Sequence, residues 1–325
     1  MTEHKQAVSS PLPTAAEETP GHSGILRDEA LQTLVAAVRE KHADAVEAVL
    51  FYGSCLRSGD PAAGIADFYV VVSSYRAAGM GMLAAIMNRL VPPNVFYLEA
   101  PCKGHTLRAK YAVVRLDQFI EGTSGRWLLP YLWGRFAQPS QIAWARTDSR
   151  KHELNQVLKR AREYFLTQAA TALQGELTTA ELWQQALLMS YKTELRAERL
   201  EKIRSLIQAD PDYYAQKTLP CIDGLDGFEL LVTADDAQTM DAQRFRLNPP
   251  AKLLKQSQQR WSRRRLAGKV MSIVRLFKSL FTFSGAVDYA AWKIQRHSGQ
   301  PVEIPDWVRR YPWIGCWGVL WRLWR

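Results

Sequence analysis

The sequence predicts an α+β protein in three parts: a mixed sheet with helices against it, a helical middle, and a basic helical tail. Three observations support this. Two apolar runs, 45–52 and 66–72, have the length and composition of buried strands and are separated by turn residues between Arg57 and Gly64. From about 150 to 210 apolar residues recur at helical spacing, as in Leu154, Val157, Leu158 and Ala161. The net charge of +10 belongs to the last quarter, where residues 251–325 hold 15 Lys/Arg against 3 Asp/Glu.

In chain order, residues 1–24 are polar, without an apolar segment, and predict a disordered leader rather than a signal peptide. Asp28 ahead of Leu31, Leu34, Val35 and Val38 predicts a helix over 28–42. The first strand ends at Gly53-Ser54, and the second follows at 66–72. A helix is expected near 78–90 and strands at 95–99 and 108–116, an order that gives a mixed sheet rather than a regular βαβ array. Residues 209–250, with Pro211, Pro220, Gly224, Gly227 and Pro249-Pro250, read as loop or linker. Basic helices are expected over 251–280 and 284–297. The expected divisions are a leader at 1–24, a sheet domain at 25–150, a helical domain at 151–250 and a Trp-rich basic region at 251–325.

At 47% hydrophobic and 23% charged, the chain can bury an ordinary core. Its four cysteines form no CxxC pair and its histidines are widely spaced, which argues against a zinc site, a disulfide scaffold and a Ser/His/Asp triad. A reducing cytoplasm is the default compartment. No run reaches the roughly 20 apolar residues of a spanning helix, so the chain is expected to lie on a membrane's inner face rather than cross it. Residues 251–325 also hold 7 of the 11 tryptophans. Trp313, Trp317, Leu320, Trp321 and Trp324 share one helical face flanked by Arg309, Arg310, Arg322 and Arg325, the pattern of a helix in the headgroup layer. The cation run from Arg260 to Lys269 fits an anionic lipid surface, with a solvated basic helix as the plainer reading. Packing of the Trp stripe on the protein's own core is the plainer alternative.

The chemistry is concentrated in Phe51-Tyr-Gly-Ser-Cys-Leu-Arg-Ser-Gly-Asp60 and Ala66-Asp-Phe-Tyr-Val-Val-Val72. Gly53 lets backbone approach a triphosphate, Ser54 and nearby amides can hold its oxygens, and Asp67 on the second strand can hold Mg²⁺. The metal would neutralise charge as a nucleophile attacks the α-phosphorus and pyrophosphate leaves. An ordinary Gly-Ser turn beside an ordinary strand-end acid is the plainer reading. Strand, Gly-Ser turn and strand acid together resemble the nucleotidyltransferase superfamily. Most of its members carry a second acid two residues on, where this chain has Tyr69, so either the protein is inactive or a second ligand lies elsewhere.

A longer series of motifs resembles the mitochondrial-type phosphatidate cytidylyltransferases, the translocator assembly and maintenance proteins. It comprises Tyr52-Gly53-Ser54, Asp67-Phe68 with its single acid, and Lys110 to Val114. It continues through Tyr131 to Pro139 with Gly134-Arg135-Phe136, Ser190-Tyr191 with Glu194 and Arg196, and Lys278 to Thr282 with Gly285. The motifs keep their order over about 48–290. Cys55 and Ala112 stand where the family has glycine, and Phe283 where it has a small residue; Cys55 would narrow the phosphate loop.

The resemblance implies a nucleotidyltransferase domain, a winged-helix-like middle domain and a membrane-binding C-terminal region. It implies CTP and phosphatidate as substrates, Mg²⁺ as cofactor and CDP-diacylglycerol as product. Gly53 and Ser54 would bind triphosphate, Asp67 would hold Mg²⁺ and serve catalysis, and Lys110 would neutralise phosphate charge. Glu194 would complete the metal site or accept a proton, and Arg196 would grip a phosphate bidentately; an exposed helix pair is their plainer reading. Asp117 and Glu121 are alternative second acids, with solvated surface the plainer reading.

Two rival readings stay open. One is a nucleotidyltransferase acting on RNA or another acceptor, which predicts steeply salt-dependent RNA binding and indifference to lipid. The other is a degenerate nucleotidyltransferase fold serving as a membrane-associated binding protein, favoured by Tyr69. Nucleic acid is not the expected partner.

Overall fold

The computed structural model of the protein describes residues 24–195, 200–231, 239–240 and 243–282. Nearly all of the expected leader, Arg196, the helix expected at 284–297 and the Trp stripe at 313–324 lie outside the described residues.

The first half supplies the sheet. Helix α1 (Glu29–His42) starts at Asp28, whose carboxylate accepts from the Leu31 amide at 3.1 Å. There follow β1 (Val46–Tyr52), the short α2 (Ser54–Ser58), β2 (Ile65–Val72), α3 (Met82–Leu90), β3 (Asn94–Cys102) and β4 (His105–Arg115). Helices α4 (Leu116–Thr123) and α5 (Trp133–Phe136) lead to β5 (Ser140–Ala145). The five strands lie in the order β3-β4-β2-β1-β5; β2 and β4 run parallel and every other pair is antiparallel. Neither α4, α5 nor β5 is anticipated by the sequence reading, and part of the expected turn at 57–64 is taken by α2.

Both faces of the sheet are covered, so β1 and β2 read as nearly continuous apolar runs. The side-chain period of two still sorts them. Phe68, Val70 and Val72 face α1 through Leu31, Leu34, Val35 and Val38. Leu50, Tyr69, Val71, Ala112 and Val114 face the other way and join a larger cluster built from the second half.

That half begins with α6 (Asp148–Ala170), β6 (Gly175–Thr178) and α7 (Thr179–Tyr191), the last opened by a capping box between Thr178 and Glu181. It continues through α8 (Leu200–Gln208), α9 (Pro211–Ile222), β7 (Phe228–Leu230) and β8 (Arg244–Leu247) to α10 (Ala251–Thr282). The loop expected over 209–250 is therefore corrected. Pro211 occupies the first turn of α9, where a missing N–H costs nothing, and Tyr213, Tyr214 and Ile222 are buried. Strand β7 has only three residues, and β8 alternates exposed Arg244 and Arg246 with buried Phe245 and Leu247 over only four, too short a run to stand out within a Pro- and Gly-rich stretch. Pairing in the order β6-β8-β7 holds them, with Arg246 bridging Glu176 at 2.6 Å and Glu229 at 2.8 Å.

The basic helix expected at 251–280 forms as α10 and lies against both halves. Trp261 Nε1 donates to the Gln168 carbonyl at 2.9 Å, and Arg264 to the Leu128 carbonyl at 3.1 Å and Gln168 Oε1 at 2.8 Å. Farther along, the buried Lys278 donates to Asn88 Oδ1 at 3.2 Å and to the carbonyls of Val91 and Pro93. Burial, reinforced by Arg275, pushes its pKa down to about 7.

His42, at the end of α1, packs edge-on against the stacked rings of Phe96 and Tyr111. The Ala78 carbonyl 2.9 Å from Nδ1 can only accept, so Nδ1 carries the proton and Nε2 accepts from the Tyr111 hydroxyl at 3.3 Å. Burial lowers its pKa, opposed by the Ala78 bond and aided by Lys41. Below its ordinary value of 6.5 the unfolded chain takes up a proton that the folded chain refuses, so stability rises with pH in that window and is lost on acidification. Urea unfolding at about pH 7 and about pH 5 should show this loss shrinking in His42→Gln; an unchanged pH dependence would remove His42 as its source.

Candidate active site

The site begins where β1 ends. Gly53 takes φ +91°, and a Cβ there would meet Asp67 Oδ2 at 2.7 Å, so both conformation and space demand glycine. The sheet register then sets a row across neighbouring strands. Tyr52 on β1 pairs with Asp67 on β2, which pairs with Lys110 on β4, which pairs with Tyr97 on β3. Lys110 Nζ lies 3.1 Å from Asp67 Oδ1, with side chains 36% and 21% exposed. The ion pair is neither sealed in the core nor loose on the surface.

It opens into a cavity of about 450 Å³, which Gly53 and Ser54 line from one side. Deeper in the same face, the Tyr69 hydroxyl donates to the Tyr131 hydroxyl at 2.8 Å and its ring packs edge-on against Phe136. Burial, together with Tyr131 and Tyr52, holds the Tyr69 phenol well above its usual pKa, so it stays neutral. Arg135 lies over the Tyr52 ring at 5.3 Å. Burial works against its charge, but Tyr52, Tyr69, Tyr191 and Glu194 around it raise its pKa, so the guanidinium stays ionised. Glu194, just after α7, lines the cavity as well. Among the described residues lining it, Arg57, Lys110, Arg135 and Lys202 outnumber Asp67 and Glu194 by four charges to two. A concave site with that excess of cations suits a polyanion carrying its own cation.

A family model for mitochondrial phosphatidate cytidylyltransferase matches residues 66–279, more than half of the chain. The chain belongs to this family. It is a nucleotidyltransferase that forms CDP-diacylglycerol from CTP and phosphatidate. The match includes Asp67, Lys110, Arg135 and Glu194 and ends within α10. Comparison with curated proteins yields no match. Among solved structures, a nucleotidyltransferase-like protein from Exiguobacterium sibiricum aligns over 77% of this chain and 79% of its own. Its identity is 10% and its TM-score 0.25, too low to bear on the fold.

Of the residues singled out in the sequence of this cytidylyltransferase, Gly53, Ser54, Asp67, Lys110 and Glu194 line the same cavity. Arg196 lies outside the described residues. Asp117 and Glu121 sit on α4 and border a different depression, and Asp117 pairs with Arg115. Position 69, where most of the superfamily has its second acid, holds a core phenol, and the other carboxylate among the described residues lining the cavity is Glu194. Arg57, Tyr131, Arg135 and Lys202 also line the cavity and are not among the site residues the sequence predicts. Arg135 was within reach, because Gly134-Arg135-Phe136 is one of the matching motifs; Arg57 and Lys202 enter only through the fold.

Gly53→Ala should displace the Asp67 carboxylate, lowering turnover about a hundredfold and stability by about 1–2 kcal/mol. Steady-state CMP transfer and urea unfolding on the same preparation test this. Wild-type turnover in the alanine variant would mean that the contact between Gly53 and Asp67 does not matter.

Proposed function

We propose that CMP transfer takes place in the Asp67–Lys110 cavity, at a membrane surface, with Mg²⁺ bound together with CTP. The observation behind this reading is the charged row itself. A carboxylate and an ammonium 3.1 Å apart face a glycine turn, in a cavity whose other charges are mainly cationic.

The donor set fits a metal that arrives with its substrate. Among the described residues no group of three or more His, Cys, Asp or Glu could hold a metal ion. Mg²⁺ is commonly bound by one or two carboxylates plus substrate phosphates and waters, and Asp67 with Glu194 supplies that number. When bound, it would neutralise charge on the transferring phosphoryl group and the departing pyrophosphate.

The chain's own residues then act by position and charge. The Gly53–Ser54 turn admits the triphosphate to close backbone approach. Lys110, Arg57 and Arg135 neutralise its oxygens, and Arg196 is proposed as a further phosphate ligand. A phosphate oxygen of phosphatidate attacks the α-phosphorus; the new P–O bond forms as the bond to the β-phosphate's bridging oxygen breaks, and pyrophosphate leaves. Phosphatidate is already anionic at neutral pH, so the attacking oxygen needs no general base. Positioning and electrostatics supply the catalysis, as in phosphoryl transfer generally.

Phosphatidate is a bilayer lipid, so the protein must reach a membrane surface. No helix among the described residues is long and apolar enough to cross one. Peripheral attachment through the cationic region 251–325 meets the need, with its 15 Lys/Arg against 3 Asp/Glu.

Purified protein, Mg²⁺ and labelled CTP incubated with phosphatidate vesicles should transfer label to lipid. Asp67→Ala should lower transfer at least about a thousandfold and Lys110→Met about a hundredfold. Full activity in Asp67→Ala would place the chemistry elsewhere. Label passed to RNA instead of lipid would replace the acceptor.

A further inference from the structure

Helix α10 has two unlike faces. Inward, Trp261, Arg264, Gly268 and Lys278 pack on the body of the protein. Outward, Leu266, Val270, Ile273, Val274 and Phe277 follow i, i+4, i+7, i+8 and i+11, and all are exposed, Leu266 to 72%. The exposed Arg263 and Lys269 border this stripe, and the helix carries nine Lys/Arg and no acid.

Helix α3 repeats the arrangement. Ala85 and Asn88 point inward, while Met82, Leu83, Ile86 and Leu90 are exposed, Leu90 to 74%. No acidic residue occurs from Phe68 to Leu98. The two helices meet at their C-terminal ends, where Lys278 of α10 bonds Asn88 of α3 and the carbonyls of Val91 and Pro93 just beyond it. The exposed Phe277 adjoins that anchor in sequence, and Leu90 lies between its acceptors.

A water-facing surface of this kind needs an occupant. A second copy would set one acid-free cationic surface against another. Residues 283–325 hold six Lys/Arg against three Asp/Glu, so their net charge has the same sign as the surface and does not complement it. Apolar stripes bordered by cations and free of acids match an anionic phospholipid surface, where apolar side chains enter the acyl boundary and cations meet phosphates. We propose that α3 and α10 form one bilayer-inserting surface, so that the nucleotidyltransferase half itself contacts anionic lipid. The proposal rests on the reaction running at a membrane surface, and it accounts for how the lipid meets the site. On its inner side α10 touches Thr193, next to Glu194, at Gly268, and Arg275 stacks on Tyr131 at 3.8 Å, so insertion sets the cavity beside the headgroups.

The test is flotation of the full chain with vesicles of phosphatidylcholine and phosphatidylglycerol in equal parts, and with phosphatidylcholine alone. Neither contains phosphatidate, so the substrate site is not the readout. Wild type should float with the anionic vesicles. Leu83→Ser combined with Leu90→Ser, and separately Val270→Ser combined with Phe277→Ser, should each lower partitioning about tenfold or more. CMP transfer to short-chain phosphatidate dispersed as monomers should stay within about twofold of wild type, which reports intact folding. An α3 variant that floats like wild type overturns the proposal. So does one whose main change is in self-association, which sedimentation velocity would reveal as a second copy on that face. If wild type floats but transfers nothing to the dispersed substrate, the proposed reaction fails and the surface stands.

Discussion

The parallel pairing of β2 with β4 is the constraint on which the site depends. It sets Asp67 beside Lys110, and the antiparallel β1 on the other side sets Tyr52 and the Gly53 turn next to the same carboxylate. A one-residue slip in either pairing would send Asp67 toward α1 and the second core. The register is protected by what flanks it. Phe68, Val70 and Val72 are locked on one face and Tyr69 and Val71 on the other, so the polar row occupies the position where the strands emerge from both cores. The glycine at 53 belongs to the same constraint, because a side chain there would fill the space the carboxylate occupies.

The walls around that row come from far along the chain. Arg135 and Tyr131 belong to the segment around α5, Glu194 follows α7, and Lys202 lies on α8. Helix α10 then braces the assembly from behind, touching Thr193 and Tyr131 while Lys278 ties it to the end of α3. The helix that carries most of the basic charge of the last quarter is thus also part of the site's support. Membrane attachment and catalysis would share one rigid element, and a lipid substrate gives that sharing a purpose.

Much of this was legible in the sequence because local rules agreed with tertiary ones. Asp28 capping α1, the two buried strands, the amphipathic α6 and the basic α10 each carry a period or cap that packing preserves. Where the two disagreed, the reading failed. Pro211 resembles a breaker but begins α9, and β7 and β8 owe their existence to cross-strand partners distant in sequence. Within the cavity, Gly53, Ser54, Asp67, Lys110 and Glu194 sit in recognisable motifs, whereas Arg57 and Lys202 carry no local signal. Tyr69 looked like a lost acid because only the strand pattern was visible. Its packing against Phe136 and its bond to Tyr131 explain why that position favours a phenol.

The central claim is that Asp67 is where the nucleotide's metal is held, and calorimetric titration of CTP with and without Mg²⁺ tests it most directly. The substitution Asp67→Asn keeps an oxygen to accept from Lys110 but removes the negative charge. Mg²⁺ should tighten CTP binding to the wild type by about tenfold or more and leave the variant's affinity nearly unchanged. An equal Mg²⁺ effect in both proteins would contradict the account and move the metal away from Asp67.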